Sequence, residues 1–201
     1  PGCGGSMVSY GSQSGKALLI KGGNGGIVSV ADPQSRIFTV TTSTTIATTC
    51  LGYSVAGLDD FNGDGFLDVA ISDMKYNIPA TGPAQEGAVF VYFLNGTFVN
   101  LTTEDSSLRM RSEWPLTTIP DYFGTSVAPA VSTINTPLGD YNNDGLADLI
   151  VGSRRFGNYH GSVFVWLGSN TLLPSENWKT YEEATFWFVP PSPYGYWGNF
   201  V

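Results

Sequence analysis

Apolar residues in this chain come in short runs that mix β-branched and aromatic side chains and start or stop at glycine. Gly15-Lys16-Ala17-Leu18-Leu19-Ile20, Gly87-Ala88-Val89-Phe90-Val91-Tyr92 and Gly161-Ser162-Val163-Phe164-Val165-Trp166 each open on glycine. They are too short for a stable helix and suit a buried strand. Their glycines stand 72 and 74 residues apart. A second pattern, Leu51-Gly52-Tyr53-Ser54-Val55, Phe123-Gly124-Thr125-Ser126-Val127 and Trp197-Gly198-Asn199-Phe200-Val201, repeats at the same 72 and 74. Two independent landmarks with shared offsets predict a structural repeat of roughly 73 residues.

The runs at 67–71 and 146–151 predict a further strand in each unit, and 36–41, 108–112 and 184–189 predict an outer one. The Thr-rich stretch 39–49 reads as an exposed edge strand, with a tether or an O-glycosylated segment as alternatives. Four strands per unit, repeated, predict an all-β chain of β-propeller blades, each a four-stranded antiparallel sheet. The phase of the repeat places the second half of one blade in 1–50, whole blades in 51–120 and 121–195, and the start of another in 196–201. The propeller is therefore incomplete in this chain. Fewer than three blades would leave sheet edges unpaired, so either a longer protein or neighbouring copies are expected to complete them.

Polar residues concentrate in two matching loops, Asp60-Phe61-Asn62-Gly63-Asp64-Gly65-Phe66-Leu67-Asp68 and Asp140-Tyr141-Asn142-Asn143-Asp144-Gly145-Leu146-Ala147-Asp148. They lie 80 residues apart because the second unit carries eight extra residues around 129–137. Asp60, Asn62, Asp64 and Asp68, with the carbonyl of Phe66, supply the hard oxygens that Ca²⁺ takes; Asp140, Asn142, Asp144 and Asp148, with the carbonyl of Leu146, repeat the set. Two calcium sites are expected. An EF-hand is excluded, because its twelfth position requires a glutamate and holds Ile71 and Val151 here. A metal-free Asn/Asp/Gly turn is the alternative for either loop alone; two such loops would leave clustered carboxylates uncompensated.

The net charge of −8 argues against nucleic-acid and anionic-membrane partners, and six of the 17 acidic residues belong to the loops. Two bound Ca²⁺ would bring the formal charge from −8 to −4. No apolar run has the roughly 18 residues of a membrane span. Cys3 and Cys50 suffice for one disulfide, worth about 4 kcal/mol at that loop length, or are two buried thiols. Asn95-Gly96-Thr97 and Asn100-Leu101-Thr102 are glycosylation sequons. Together with the calcium loops they point to an extracellular or cell-surface setting. The chain opens Pro1-Gly2-Cys3, with no initiator Met or signal peptide, as a processed product or a segment of a longer protein would.

No catalytic residues are predicted. His160 is the single histidine, and no nucleophile elbow, phosphate loop or zinc spacing accompanies it. Trp178, Tyr181, Trp187, Tyr194, Tyr196 and Trp197 form an aromatic cluster that could stack on a glycan or pack between blades.

Phe123-Gly124, with Leu51-Gly52 and Trp197-Gly198 as departures, resembles the FG element of the FG-GAP repeats of integrin α-subunit propellers. Ser72-Asp73-Met74 and Gly152-Ser153-Arg154 stand at the degenerate GAP element, and both loops match the family's D-x-[DN]-x-D-G-x-x-D pattern. The resemblance runs from about Gly15 onward. It implies a calcium-stabilised extracellular propeller, closed with about seven blades in the family, that serves adhesion and contact with a protein partner. The unpaired edges add contact with further copies of itself, which propagates into filaments where it does not close a ring. A glycan-binding lectin and the non-catalytic propeller of a larger hydrolase are the alternatives.

Overall fold

The structure, a computed structural model, describes residues 15–20, 37–41, 50–77, 86–95, 101–113, 120–130, 139–172, 174, 178–191, 197–199 and 201. Cys3, Asn100, Tyr194, Tyr196 and the Thr-rich 42–49 lie outside them. The strands, in chain order, are β1 (Lys16–Ile20), β2 (Ile37–Thr41), β3 (Leu51–Leu58), β4 (Asp68–Asp73), β5 (Ala88–Phe93) and β6 (Leu101–Thr102). They continue with β7 (Leu108–Met110), β8 (Phe123–Pro129), β9 (Leu149–Ser153), β10 (Ser162–Trp166), β11 (Trp178–Lys179) and β12 (Phe186–Phe188). A short turn, α1 (Phe156–Tyr159), joins β9 to β10, with Gly157, Asn158 and Tyr159 at positive φ.

Two blades of the expected kind are present, β3-β4-β5-β7 and β8-β9-β10-β12, each antiparallel throughout. β1 and β2 pair antiparallel in a third sheet. The outer strands are shorter than the sequence predicts: β7 stops at Met110, although the Arg111 N–H still donates to Lys179 O of β11, and β12 covers three residues.

The sequence pattern did not reveal β6 and β11. Neither joins its own blade; each adds in parallel to the outer strand of the preceding one, β6 to β2 and β11 to β7. The register is the same both times, Val40 opposite Leu101 and Met110 opposite Lys179. A 3₁₀ turn follows each, Thr103–Asp105 and Tyr181–Glu183. The Thr102 N–H donates to Asp105 Oδ2 (2.7 Å) and the Thr180 N–H to Glu183 Oε2 (2.9 Å), closing the first turn with an acidic side chain as a capping box does. These units are therefore stapled to one another by two-residue strands.

β5 is buried on both faces, which is why its sequence is an unbroken apolar run rather than an alternation. Val89 and Val91 enter one core with Leu58, Phe61, Phe123, Val127, Leu149, Val151 and Phe164, so the two blades share it. Ala88, Phe90 and Tyr92 enter another, against which Ala17 and Leu101 pack.

The two sequence landmarks prove to be contact partners. Gly15 lies against the backbone of Leu51, Gly87 against Phe123 and Gly161 against Trp197, a constant separation of 36 residues. Gly87–Phe123 and Gly161–Trp197 are parallel bridges, and the Phe123 N–H donates to Glu86 O (2.9 Å). Gly87 has a φ of +88°, and a Cβ there would stand 2.6 Å from Phe123 N. Left-handed backbone and the close approach both demand glycine.

A buried acidic pair flanks this seam. Ser112 Oγ lies 2.9 Å from Asp121 Oδ2 and 3.4 Å from Glu86 Oε1, and Glu86 Oε1 also accepts the Glu113 N–H (2.5 Å). Burial pushes the Asp121 carboxyl up to about 7, against the Ser112 hydrogen bond, with the Glu86 charge adding to it; burial raises Glu86 as well.

Gly87→Ala should destabilise the chain by on the order of 3 kcal/mol in urea unfolding, combining left-handed strain with a backbone clash. A loss within error of zero would show that the seam is not tight. Asp121 holds its proton in the folded chain up to about pH 7 but loses it near the ordinary 3.8 when unfolded. Its contribution therefore makes folding less favourable as pH rises from about 4 to 7. Asp121→Asn should flatten that slope and stabilise at pH 8 by on the order of 2 kcal/mol; an unchanged slope would contradict the assignment.

Candidate metal centre

Each loop joins the first two strands of its blade: residues 59–67 lie between β3 and β4, and the second loop ends immediately before β9. The loops fold alike. Asp60 Oδ1 accepts the Asp64 N–H (2.9 Å) and Oδ2 the Gly65 N–H (2.8 Å); Asp140 does the same for Asp144 (3.1 Å) and Gly145 (2.9 Å). Asn62 Nδ2 donates to Asp64 Oδ2 (3.0 Å), as Asn142 Nδ2 does to Asp144 Oδ2 (2.9 Å). Asp64 Oδ1 accepts the Phe66 N–H and Asp144 Oδ1 the Leu146 N–H, both at 2.9 Å. Side-chain oxygens thus define the turn through local Asx hydrogen bonds.

Burial separates the ninth residue from the fifth, and in the second loop the first residue, Asp140, is buried as well. Asp68 and Asp148 are fully buried, whereas Asp64 and Asp144 are exposed. Asp68 Oδ2 closes the loop by accepting the Phe61 N–H (2.9 Å), and Oδ1 accepts the Leu94 N–H beyond β5 (3.1 Å). Asp148 repeats this with the Tyr141 N–H (2.7 Å) and, beyond β10, the Gly168 N–H (2.8 Å). Burial raises Asp68 to about 6; the Phe61 and Leu94 N–H bonds oppose that rise, and the Asp64 and Asp60 charges add to it. Asp148 is raised by burial too, with N–H bonds from Gly168, Tyr141 and Asn142 opposing and the Asp144 charge adding.

Neighbouring loops are also joined. The Ala147 N–H donates to Asp60 O (2.9 Å) and the Ser169 N–H to Phe61 O (3.1 Å), so the second blade holds the backbone of the first loop. Nothing in the sequence signals this, because both acceptors are main-chain carbonyls.

The donors fit a hard cation in kind: three carboxylates, one carboxamide oxygen and an available carbonyl per loop, with the ninth carboxylate destabilised by burial and like charge. Among the described residues, however, no three acidic, histidine or cysteine side chains converge closely enough to form a shell by themselves. The carboxylates are turned toward the N–H groups of their own loop.

Other predicted residues are dispersed. Asn95 is exposed just past β5, while Cys50 is buried beside β3, and no described cysteine is free. His160 Nδ1 sits 2.8 Å from Pro190 O. The aromatic cluster divides: Trp178 packs on Tyr76 and Phe90, and Tyr181 is buried against Phe156, whereas Trp187 and Trp197 are exposed.

With calcium chelated, Asp68→Ala should cost about 2–3 kcal/mol, since two N–H groups lose their acceptor, and Asp64→Ala, on the exposed rim, under about 1 kcal/mol. Urea titrations of both variants check this; equal costs would contradict the division between a buried anchor and exposed ligands.

A family profile for the FG-GAP repeat matches residues 51–92 and 135–166. Integrin alpha-PS5 of Drosophila melanogaster is 34% identical over 145 residues, 72% of this chain and 12% of that protein. Integrin alpha-5 of Xenopus laevis is 30% identical over 140 residues, 65% of this chain and 12% of its own length. Phosphatidylinositol-glycan-specific phospholipase D of Dictyostelium discoideum is 30% identical over 141 residues, 64% of this chain and 14% of its own. The chain thus spans about an eighth of the length of these relatives. Both FG-GAP matches begin ahead of an Asp/Asn/Gly loop and end in the third strand of a blade. The chain is an FG-GAP repeat protein, and over these repeats it resembles the integrin α-subunit β-propeller.

Proposed function

We propose that this chain is an extracellular or cell-surface propeller module whose blades are stiffened by Ca²⁺ in two loops and whose work is contact with proteins. The observation that carries the reading is the matched pair of loops. Both present the same oxygen donors on the same hydrogen-bonded frame, and the backbone of one is bonded to the other. A cation held by Asp60, Asn62, Asp64, Asp68 and the Phe66 carbonyl would neutralise the carboxylates crowded there and fix the blade boundary; Asp140, Asn142, Asp144, Asp148 and the Leu146 carbonyl would do so in the next unit. Glycans at Asn95 and Asn100 and a Cys3–Cys50 disulfide belong to the same setting. No helix among the described residues is long and apolar enough to cross a membrane.

For this chain by itself the contact surface we favour is the edge of β12, and its occupant a second copy of the chain, standing in for the short strand that a following repeat would add. Phe186, Trp187 and Phe188 are 41%, 46% and 52% exposed, whereas their counterparts Leu108 and Met110, beside which β11 adds, are 2% and 1% exposed. The chain covers this position of its repeat twice by adding a short parallel strand, so another copy has the matching chemistry for the third. A second reading, the propeller of a larger hydrolase, is favoured by the relative named as a phospholipase D. The residues that would do chemistry would then lie in other parts of such a protein.

Calcium at about a hundred times its dissociation constant should stabilise the chain by about 2.7 kcal/mol for each loop it fills. Excess EGTA should lower Tm correspondingly, and a melting curve indifferent to EGTA would sink the reading. Self-association should be visible by sedimentation at micromolar to millimolar concentration and be abolished by Phe188→Asp. A monomer across that range would remove the β12 interface and leave the calcium result standing.

A further inference from the structure

At the end of β9 remote from its calcium-type loop, the two units carry different chemistry on one framework. Asp73 pairs with Leu51 in the first blade as Ser153 pairs with Phe123 in the second. Cys50, Asp73, Met74 and Lys75 of the first blade are thereby replaced by Tyr122, Ser153, Arg154 and Arg155 in the second. In the first blade Asp73 Oδ1 accepts the Cys50 and Lys75 N–H groups (2.7 and 3.1 Å), and its carboxylate offsets the Lys75 charge. The second blade loses that carboxylate to Ser153, whose Oγ donates instead to Asp121 O (3.0 Å), and gains a cation at Arg154.

Both guanidinium groups lie over one ring, Arg154 at 4.5 Å and Arg155 at 4.9 Å from the Tyr122 centroid, and Arg155 is also 5.1 Å from that of Tyr159. Tyr122 and Tyr159 both have left-handed backbone, φ 54° and 71°, a strain that tends to persist where function requires it. Arg109, Arg111 and Lys179 each pair with a glutamate, and no described carboxylate forms an ion pair with Arg154 or Arg155. The Nε atoms of both are buried without a hydrogen-bond acceptor. Two like charges held together in a chain of net charge −8, with none of its 17 acidic residues recruited among the described ones, make a site that lacks its anion.

We propose that Arg154 and Arg155, braced by Tyr122 and Tyr159, bind the carboxylates of an acidic polypeptide segment. A guanidinium fork matches a carboxylate in plane and spacing, and aromatic stacking pre-organises it. This rests on the reading of the chain as a protein-contact module, and it assigns a second contact surface with its own chemistry, separate from the apolar β12 edge.

The Nε–Hε resonances of the arginines, followed by NMR during titration of the full chain with acetyl-tetraglutamate amide at constant ionic strength, test the site. Arg154 and Arg155 should shift and saturate while Arg109 and Arg111 stay put, and Arg154→Gln or Arg155→Gln should each weaken binding roughly tenfold or more. Both variants should stay folded with Tm within about 4 °C of the parent, because neither loses an ion pair and each loses only cation–π contact. No saturable shift below about 10 mM peptide, equal shifts at Arg109 and Arg111, or tighter binding of inorganic phosphate than of the peptide would each overturn the proposal. Such failure leaves the EGTA response untouched, whereas peptide binding by a chain indifferent to EGTA would remove only the calcium reading.

Discussion

Everything in this molecule is arranged around how closely one blade can approach the next. Gly15, Gly87 and Gly161 each lie against the backbone that opens the following unit, and the 36-residue separation is the same three times. Close approach brings Val89 and Val91 of one sheet into a single core with Phe123, Val127 and Val151 of the next. A side chain at the seam would hold the sheets apart, and apolar area on both would remain wet. The short strands β6 and β11 then fasten the outer edges of the first two sheets, β2 and β7, to the unit that follows.

The loops work within that frame. Their turns are specified by aspartate and asparagine oxygens that bond local N–H groups, and the ninth aspartate ties each turn to a distant strand end. Asp60 O and Phe61 O reach across to the second blade, so ordering one loop also orders its neighbour. Cation binding at this position would act on the relation between blades as much as on a hairpin. That links the chemistry of the loops to the surfaces the blades present.

Much of this was legible in the residues. The repeat and the third strands could be read because glycine and β-branched or aromatic runs recur at fixed offsets, and the two loops because the spacing of their Asp, Asn and Gly residues is unusual. Other features had no sequence signal. β6 and β11 are two-residue strands whose partners lie about seventy residues away, and a parallel pairing of that length has no periodicity to detect. Glu86 and Asp121 look like ordinary surface acids until the fold buries both at a seam. The outer strands were drawn too long because Arg111 and Ser112 continue an extended pattern, although β7 ends at Met110. Tyr122 and Arg154 are separated by two strands and the loop between them, and only the β8–β9 register brings them face to face.

The central claim is that the seam makes the two blades one cooperative unit rather than beads on a chain. Native-state hydrogen exchange of the β5 and β10 amides, followed through increasing urea, tests it most directly. The account predicts that both strands open with the same free energy and the same denaturant dependence. Separate isotherms, with β10 opening while β5 stays protected, would contradict it.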